Sequence, residues 1–77
     1  MAHTYWVRGF DIDSGELSAE QRLGPEWSLE RLRALVNAPP SDRAVSAGYE
    51  LSVEQLKALN VDLTEEFAEL TCVLEAE

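Results

Sequence analysis

The sequence predicts an α+β fold, a single small two-layer domain in the order ββαβαβ, and three observations carry that prediction. Thr4–Phe10 (Thr-Tyr-Trp-Val-Arg-Gly-Phe) is rich in aromatic and β-branched residues and runs into the turn Asp11-Ile12-Asp13-Ser14-Gly15, the signature of a hairpin. Pro39 and Pro40 interrupt the chain between two segments of helical periodicity. Tyr49–Asn60 encodes a strand, a helix cap, a helix and a stop in twelve consecutive residues. Alternating strands and helices in this order predict one mixed sheet with both helices on one face.

The N-terminal hairpin covers residues 4–23. Trp6 and Phe10 fall on one face of its first strand and Tyr5 and Val7 on the other, so both faces are expected to be covered. Gly15 supplies the positive φ of the turn, and Glu16–Leu23 returns as a strand with one wet face. Gly24-Pro25-Glu26-Trp27 then redirects the chain. Ser28 caps a helix over 28–36 whose inward side is Leu29, Leu32, Leu35 and Val36, with Glu30 and Arg33 paired outside.

Asn37–Arg43 is a loop, and residues 44–51 form the third strand with Tyr49 and Leu51 inward. Ser52 with Gln55 makes a capping box at the head of a helix over 53–59, where Val53, Leu56 and Leu59 share a face. Asn60 closes it in the left-handed conformation. Residues 63–76 match both periods: Leu63, Phe67, Leu70 and Leu74 fit a helix, whereas Leu70, Cys72 and Leu74 alternate as in a strand. The preferred reading is a turn over Thr64–Phe67 and a final strand over about 69–76.

Seventy-seven residues sit near the lower limit for an adequate core. No apolar run approaches the ~20 residues of a membrane span, and Met1-Ala2-His3-Thr4 does not read as a secretory signal. The lone Cys72 forms no internal disulfide, which fits a reducing cytoplasm. Formal charge is −9 and unevenly shared: residues 1–43 hold seven acids and five bases, and residues 44–77 hold eight acids and only Lys57. Such a field repels nucleic acid and anionic membranes and attracts cationic proteins.

Catalytic and metal chemistry find little purchase. Asp11-x-Asp13-x-Gly15-Glu16 begins like a calcium loop but has Glu16 where the required glycine belongs and Arg22 where the bidentate glutamate belongs, so it reads as a turn. His3 has no visible orienting partner, and Cys72 lies among apolar residues flanked by acids, which raises a thiol pKa. There is no glycine-rich phosphate loop, and carboxylate pairs are too abundant to single out an acid and a base. No catalytic residue, metal ligand or cofactor is therefore expected. Trp6 and Trp27, like Tyr5 and Tyr49, read as core rather than interface.

The aromatic strand ending Gly9-Phe10-Asp11, the Ser14-Gly15-Glu16-Leu17 turn, the leucine helix, Tyr49-x-Leu51-Ser52-x-Glu54-Gln55-Leu56 and the terminal Val73-Leu74-Glu75-Ala76 together resemble a family of small bacterial domains associated with immunity genes beside polymorphic or contact-dependent toxins. The resemblance implies a cytoplasmic, non-catalytic immunity protein that neutralises a cationic toxin domain, possibly a nuclease, by direct binding. It transfers no functional residues. On charge alone, the expected partner-binding array is Glu50, Glu54, Asp62, Glu65, Glu66 and Glu69. Two alternatives remain at this stage: an acidic nucleic-acid mimic that inhibits a DNA-binding enzyme, and a homo-oligomeric accessory domain paired through an edge strand.

Overall fold

A computed structural model describes residues 4–61 and 67–77. Strand alternation in the first strand, β1 (Tyr5–Asp11), divides the molecule: Tyr5, Val7 and Gly9 are buried while Trp6, Arg8 and Phe10 face the other way, half-exposed. The second strand, β2 (Leu17–Arg22), returns antiparallel with Trp6 opposite Arg22 and Gly9 opposite Ala19. The register then slips, so that Phe10 faces Leu17 and Ser18 is the extra residue of a bulge. Asp11 closes the turn by accepting at Oδ1 from the backbone N–H groups of Asp13 and Ser14, and Gly15 takes φ 73°.

The first helix, α1 (Leu29–Val36), starts at Ser28, whose hydroxyl accepts from the Arg31 N–H, and ends at Asn37 in the left-handed conformation. Leu32 is fully buried and Leu35 and Val36 pack against the core, but Leu29 is 39% exposed rather than inward. The expected Glu30–Arg33 pairing gives way to a loop contact, because Arg33 donates instead to the carbonyl oxygen of Asp42 at 2.6 Å.

The third strand, β3, is only Tyr49–Glu50, not the expected 44–51. Asp42 is the reason. Its Oδ1 accepts from the Ser46 N–H and hydroxyl, and its Oδ2 from the Ala47 N–H and the Tyr49 hydroxyl, which curls residues 42–49 around one carboxylate. Val45 adopts φ 54° within this curl, a conformation no extended strand allows, and is fully buried. Tyr5 ties the loop to β1 by donating its hydroxyl to the Ala44 carbonyl at 2.7 Å. The apolar residues read as strand are thus core contributors presented by a loop.

The second helix, α2 (Val53–Ala58), carries the capping box reciprocally: Ser52 Oγ accepts from the Gln55 N–H, and Gln55 Oε1 accepts from the Ser52 N–H. Leu56 and Leu59 are buried and Asn60 has φ 58°, whereas Val53 is 58% exposed and faces away from the core. Residues 67–69 form a turn and the last strand, β4, spans Leu70–Ala76, so alternation prevails over the helical reading across that span. The rest of the turn expected over Thr64–Phe67 lies outside the described residues.

The sheet order is β2-β1-β4-β3, and every neighbouring pair is antiparallel, which corrects the expectation of a mixed sheet. The chain re-enters the sheet at the end where β3 stops, so β4 runs back beside it: Glu50 pairs with Val73 and the Leu51 N–H donates to the Cys72 carbonyl. β4 thereby inserts between β3 and β1.

One core joins these elements. Val7, Cys72 and Leu74 from one sheet face cluster with Leu32 of α1, Leu56 of α2, Val45 of the loop and Phe67 of the last turn. Both helices thus contribute to the same side of the sheet. Gly9 permits the closest approach, since a Cβ there would lie 2.6 Å from Leu70 Cδ1 and 3.0 Å from Phe67 Cδ1.

Candidate functional site

Three of the acids expected to form one array fall among the described residues. Glu50, on the edge strand β3, is exposed opposite Val73 and so lies on the face turned away from the core. Glu54 is exposed in the first turn of α2. Glu69 is exposed in the turn before β4, with φ 58°. Asp62, Glu65 and Glu66 lie outside the described residues.

Glu69 meets acids that the sequence reading assigned only to a turn. Leu70 pairs with Asp11, which brings the turn at residues 67–69 beside the β1–β2 turn. Between them opens a shallow cleft of about 450 Å³ lined by Asp11, Ile12, Asp13, Ala68, Glu69 and Leu70. Ile12 is 69% exposed. The Asp11 carboxyl is held below the usual range by the backbone N–H of Ser14 and then that of Asp13. A carboxylate so committed is a poor proton acceptor near neutrality and serves electrostatics better than acid–base chemistry. Among the described residues, no group of three or more His, Cys, Asp or Glu side chains is arranged to hold a metal ion.

A second charged cluster was not anticipated. Arg8, at the centre of the sheet face opposite the core, reaches Glu20 at 2.8 Å, Glu75 at 3.4 Å and Glu77. Its side chain is 17% exposed, and its guanidinium lies 5.4 Å from the centroid of the Trp6 ring. The contact with Glu77, followed by that with Glu20, raises its pKa above the already high arginine value, so it remains cationic at every accessible pH. Alternation already placed Trp6, Arg8 and Phe10 together; the convergence of glutamates from β2, β4 and the C-terminal residue needs the register, which no local pattern encodes.

Two further arginines are engaged within the chain. Arg31 stacks 4.3 Å from the centroid of Trp27 and donates to the Glu26 carbonyl, and Arg33 holds the loop at Asp42. Trp27 packs against the core as expected, but Trp6 does not: it lies on the opposite sheet face, half-buried, and its Nε1 has no acceptor among the described residues. Cys72 is buried, and burial pushes its thiol pKa up.

These features define a small α+β domain with an antiparallel four-stranded sheet, two short helices and an acid-rich surface. Among the described residues, no helix is long and apolar enough to cross a membrane. The chain belongs to the family described as a domain of unknown function, DUF7683, which matches residues 4–75. No curated protein and no solved structure matches it.

Proposed function

We propose that the chain is a non-catalytic binding protein whose partner is a cationic protein, and that this partner is a bacterial toxin domain neutralised in the cytoplasm, as its resemblance to immunity domains implies. The supporting observation is the excess of exposed acids. Asp13, Glu16, Glu26, Glu30, Glu50, Glu54 and Glu69 are exposed and in no ion pair among the described residues, against exposed Arg22, Arg31, Arg43 and Lys57. The outward field is therefore anionic, in keeping with the formal charge of −9. Such a field accelerates encounter with a basic partner toward ~10⁸ M⁻¹s⁻¹ at low salt and weakens as salt rises.

The test is co-expression with each growth-arresting protein encoded beside it in its native genome, together with measured association rates. Growth rescue and a salt-sensitive complex are expected. Reversing Glu50, Glu54 and Glu69 to lysine should slow association and flatten its salt dependence. Unchanged rate and salt slope would remove these three acids from the interface. Failure to rescue growth, with no complex at low salt, would reject the toxin reading.

A further inference from the structure

We propose that the sheet face opposite the core is the docking seat for the cationic partner, with Trp6, Phe10 and Val73 as its apolar centre. The inference rests on the binding reading above and names the face that carries it. In a two-layer domain the outer face of an antiparallel sheet normally alternates toward polar residues. Here the central strands turn Trp6 and Phe10 of β1 and Val73 of β4 outward beside Arg8 and Thr71. None of the three belongs to the core cluster or packs against it. Leu17, opposite Phe10 across the bulge and 48% exposed, extends the apolar surface toward β2.

The register seats Arg8 within this centre, between Trp6 and Phe10 and opposite Val73, and sets the other charges around it. Glu20 and Arg22 lie along β2, Glu50 along β3, and Glu75 and Glu77 beside the Trp6 end, with Arg8 between them. Four carboxylates surround two guanidiniums, and Arg8 already contacts three of the four. This bridging pre-orders the glutamates without neutralising their excess, so less side-chain entropy is lost when a partner arrives.

The charge also selects the occupant. A second copy would bring −9 against −9, and nucleic acid or an anionic membrane would add like charge. A basic protein surface with apolar side chains among its lysines or arginines complements both the centre and the rim. Aromatic residues at the centre of a polar rim are the arrangement that concentrates binding energy.

The two indole N–H groups allow a direct test by NMR, with Trp27→Phe assigning the Trp6 resonance. The probe is a short peptide alternating lysine and leucine, titrated at low salt beside an all-lysine peptide and a glutamate–leucine peptide. The lysine–leucine peptide should move the Trp6 resonance and bind more tightly than either control. Phe10→Thr and Val73→Thr should each weaken it at least about fivefold, while Glu30→Gln, exposed in the first turn of α1, leaves it unchanged. An unmoved Trp27 resonance in free Phe10→Thr and Val73→Thr would verify their folding. If the peptide bound but moved only Trp27, or ignored Phe10→Thr and Val73→Thr, the proposed face would be wrong and the binding reading would stand. If no lysine-containing peptide bound at all, both would fall. Self-association that shifts Trp6 without peptide would replace the basic partner with a second copy.

Discussion

Gln55 joins the two helices by donating its Nε2 to the backbone carbonyl of Leu35 at 2.8 Å, while its Oε1 accepts from the Ser52 N–H. One side chain thus completes the capping box of α2 and occupies a carbonyl near the end of α1, where the helix has no partner of its own. Ser52→Ala removes only the cap and should cost about 1 kcal/mol. Gln55→Ala removes both bonds and should cost about 2 kcal/mol. Urea unfolding of the two variants gives the comparison; equal costs would mean the Leu35 bond contributes nothing.

Asp42 sets an acid limit on stability. The Tyr49 hydroxyl at 2.5 Å, followed by the Ser46 N–H, lowers its pKa from the ordinary value of 3.8. A carboxyl whose folded pKa is depressed contributes fully above its unfolded pKa, and that contribution is lost as pH falls below it. The wild-type unfolding midpoint should therefore drop on acidification below 3.8. Asp42→Asn should be less stable at neutral pH yet lose less on acidification. Urea titrations across that range would show it, and parallel pH profiles would contradict it.

Arg8 and Glu20 should be weakly coupled. Glu20 is 41% exposed at the side chain, so solvent screens the pair despite its 2.8 Å separation. A double-mutant cycle with Arg8→Ala and Glu20→Ala should return about 0.5–1 kcal/mol, falling as salt is added. A larger, salt-independent coupling would mean that the cluster acts as a buried network.

Gly9 tests the packing of β1 against the last turn. Gly9→Ala would put Cβ within 2.6 Å of Leu70 Cδ1 and should cost about 1–3 kcal/mol. Leu70→Ala removes the clashing methyl groups, so the double variant should be more stable than the sum of the single costs implies. Strict additivity would show that the strand had shifted instead.

Cys72 should be silent toward thiol reagents in the folded state. Burial both excludes the reagent and raises the thiol pKa. Labelling should therefore follow global unfolding, with a rate that rises through the urea transition. Rapid labelling without denaturant would contradict the buried placement.

Much of the local structure was legible in the sequence because its causes are local. Ser28 and Ser52 cap helices through atoms three residues away, Gly15 and Asn60 take the backbone conformations their types favour, and alternation marks β1 and β4. Patterning also separated Trp6 and Phe10 from Tyr5 and Val7. It did not show that only one of those faces would be covered by helices, since coverage depends on where distant elements pack.

Tertiary structure decided the remainder. Residues 44–48 were expected to lead into the third strand, but the Asp42 carboxylate accepts from the Ser46 and Ala47 N–H groups and the loop turns Val45 into the core. Insertion of β4 between β3 and β1 made the sheet wholly antiparallel, and the resulting register assembled Arg8 with Glu20, Glu75 and Glu77 from opposite ends of the chain. Glu50 was placed on a sheet edge opposite Val73, and Glu69 in the turn beside Asp11, by that same register. Hydrogen-bonding preferences over three or four residues are written in residue type; the placement of charge on a surface is written in strand pairing, which forms only when the whole chain packs.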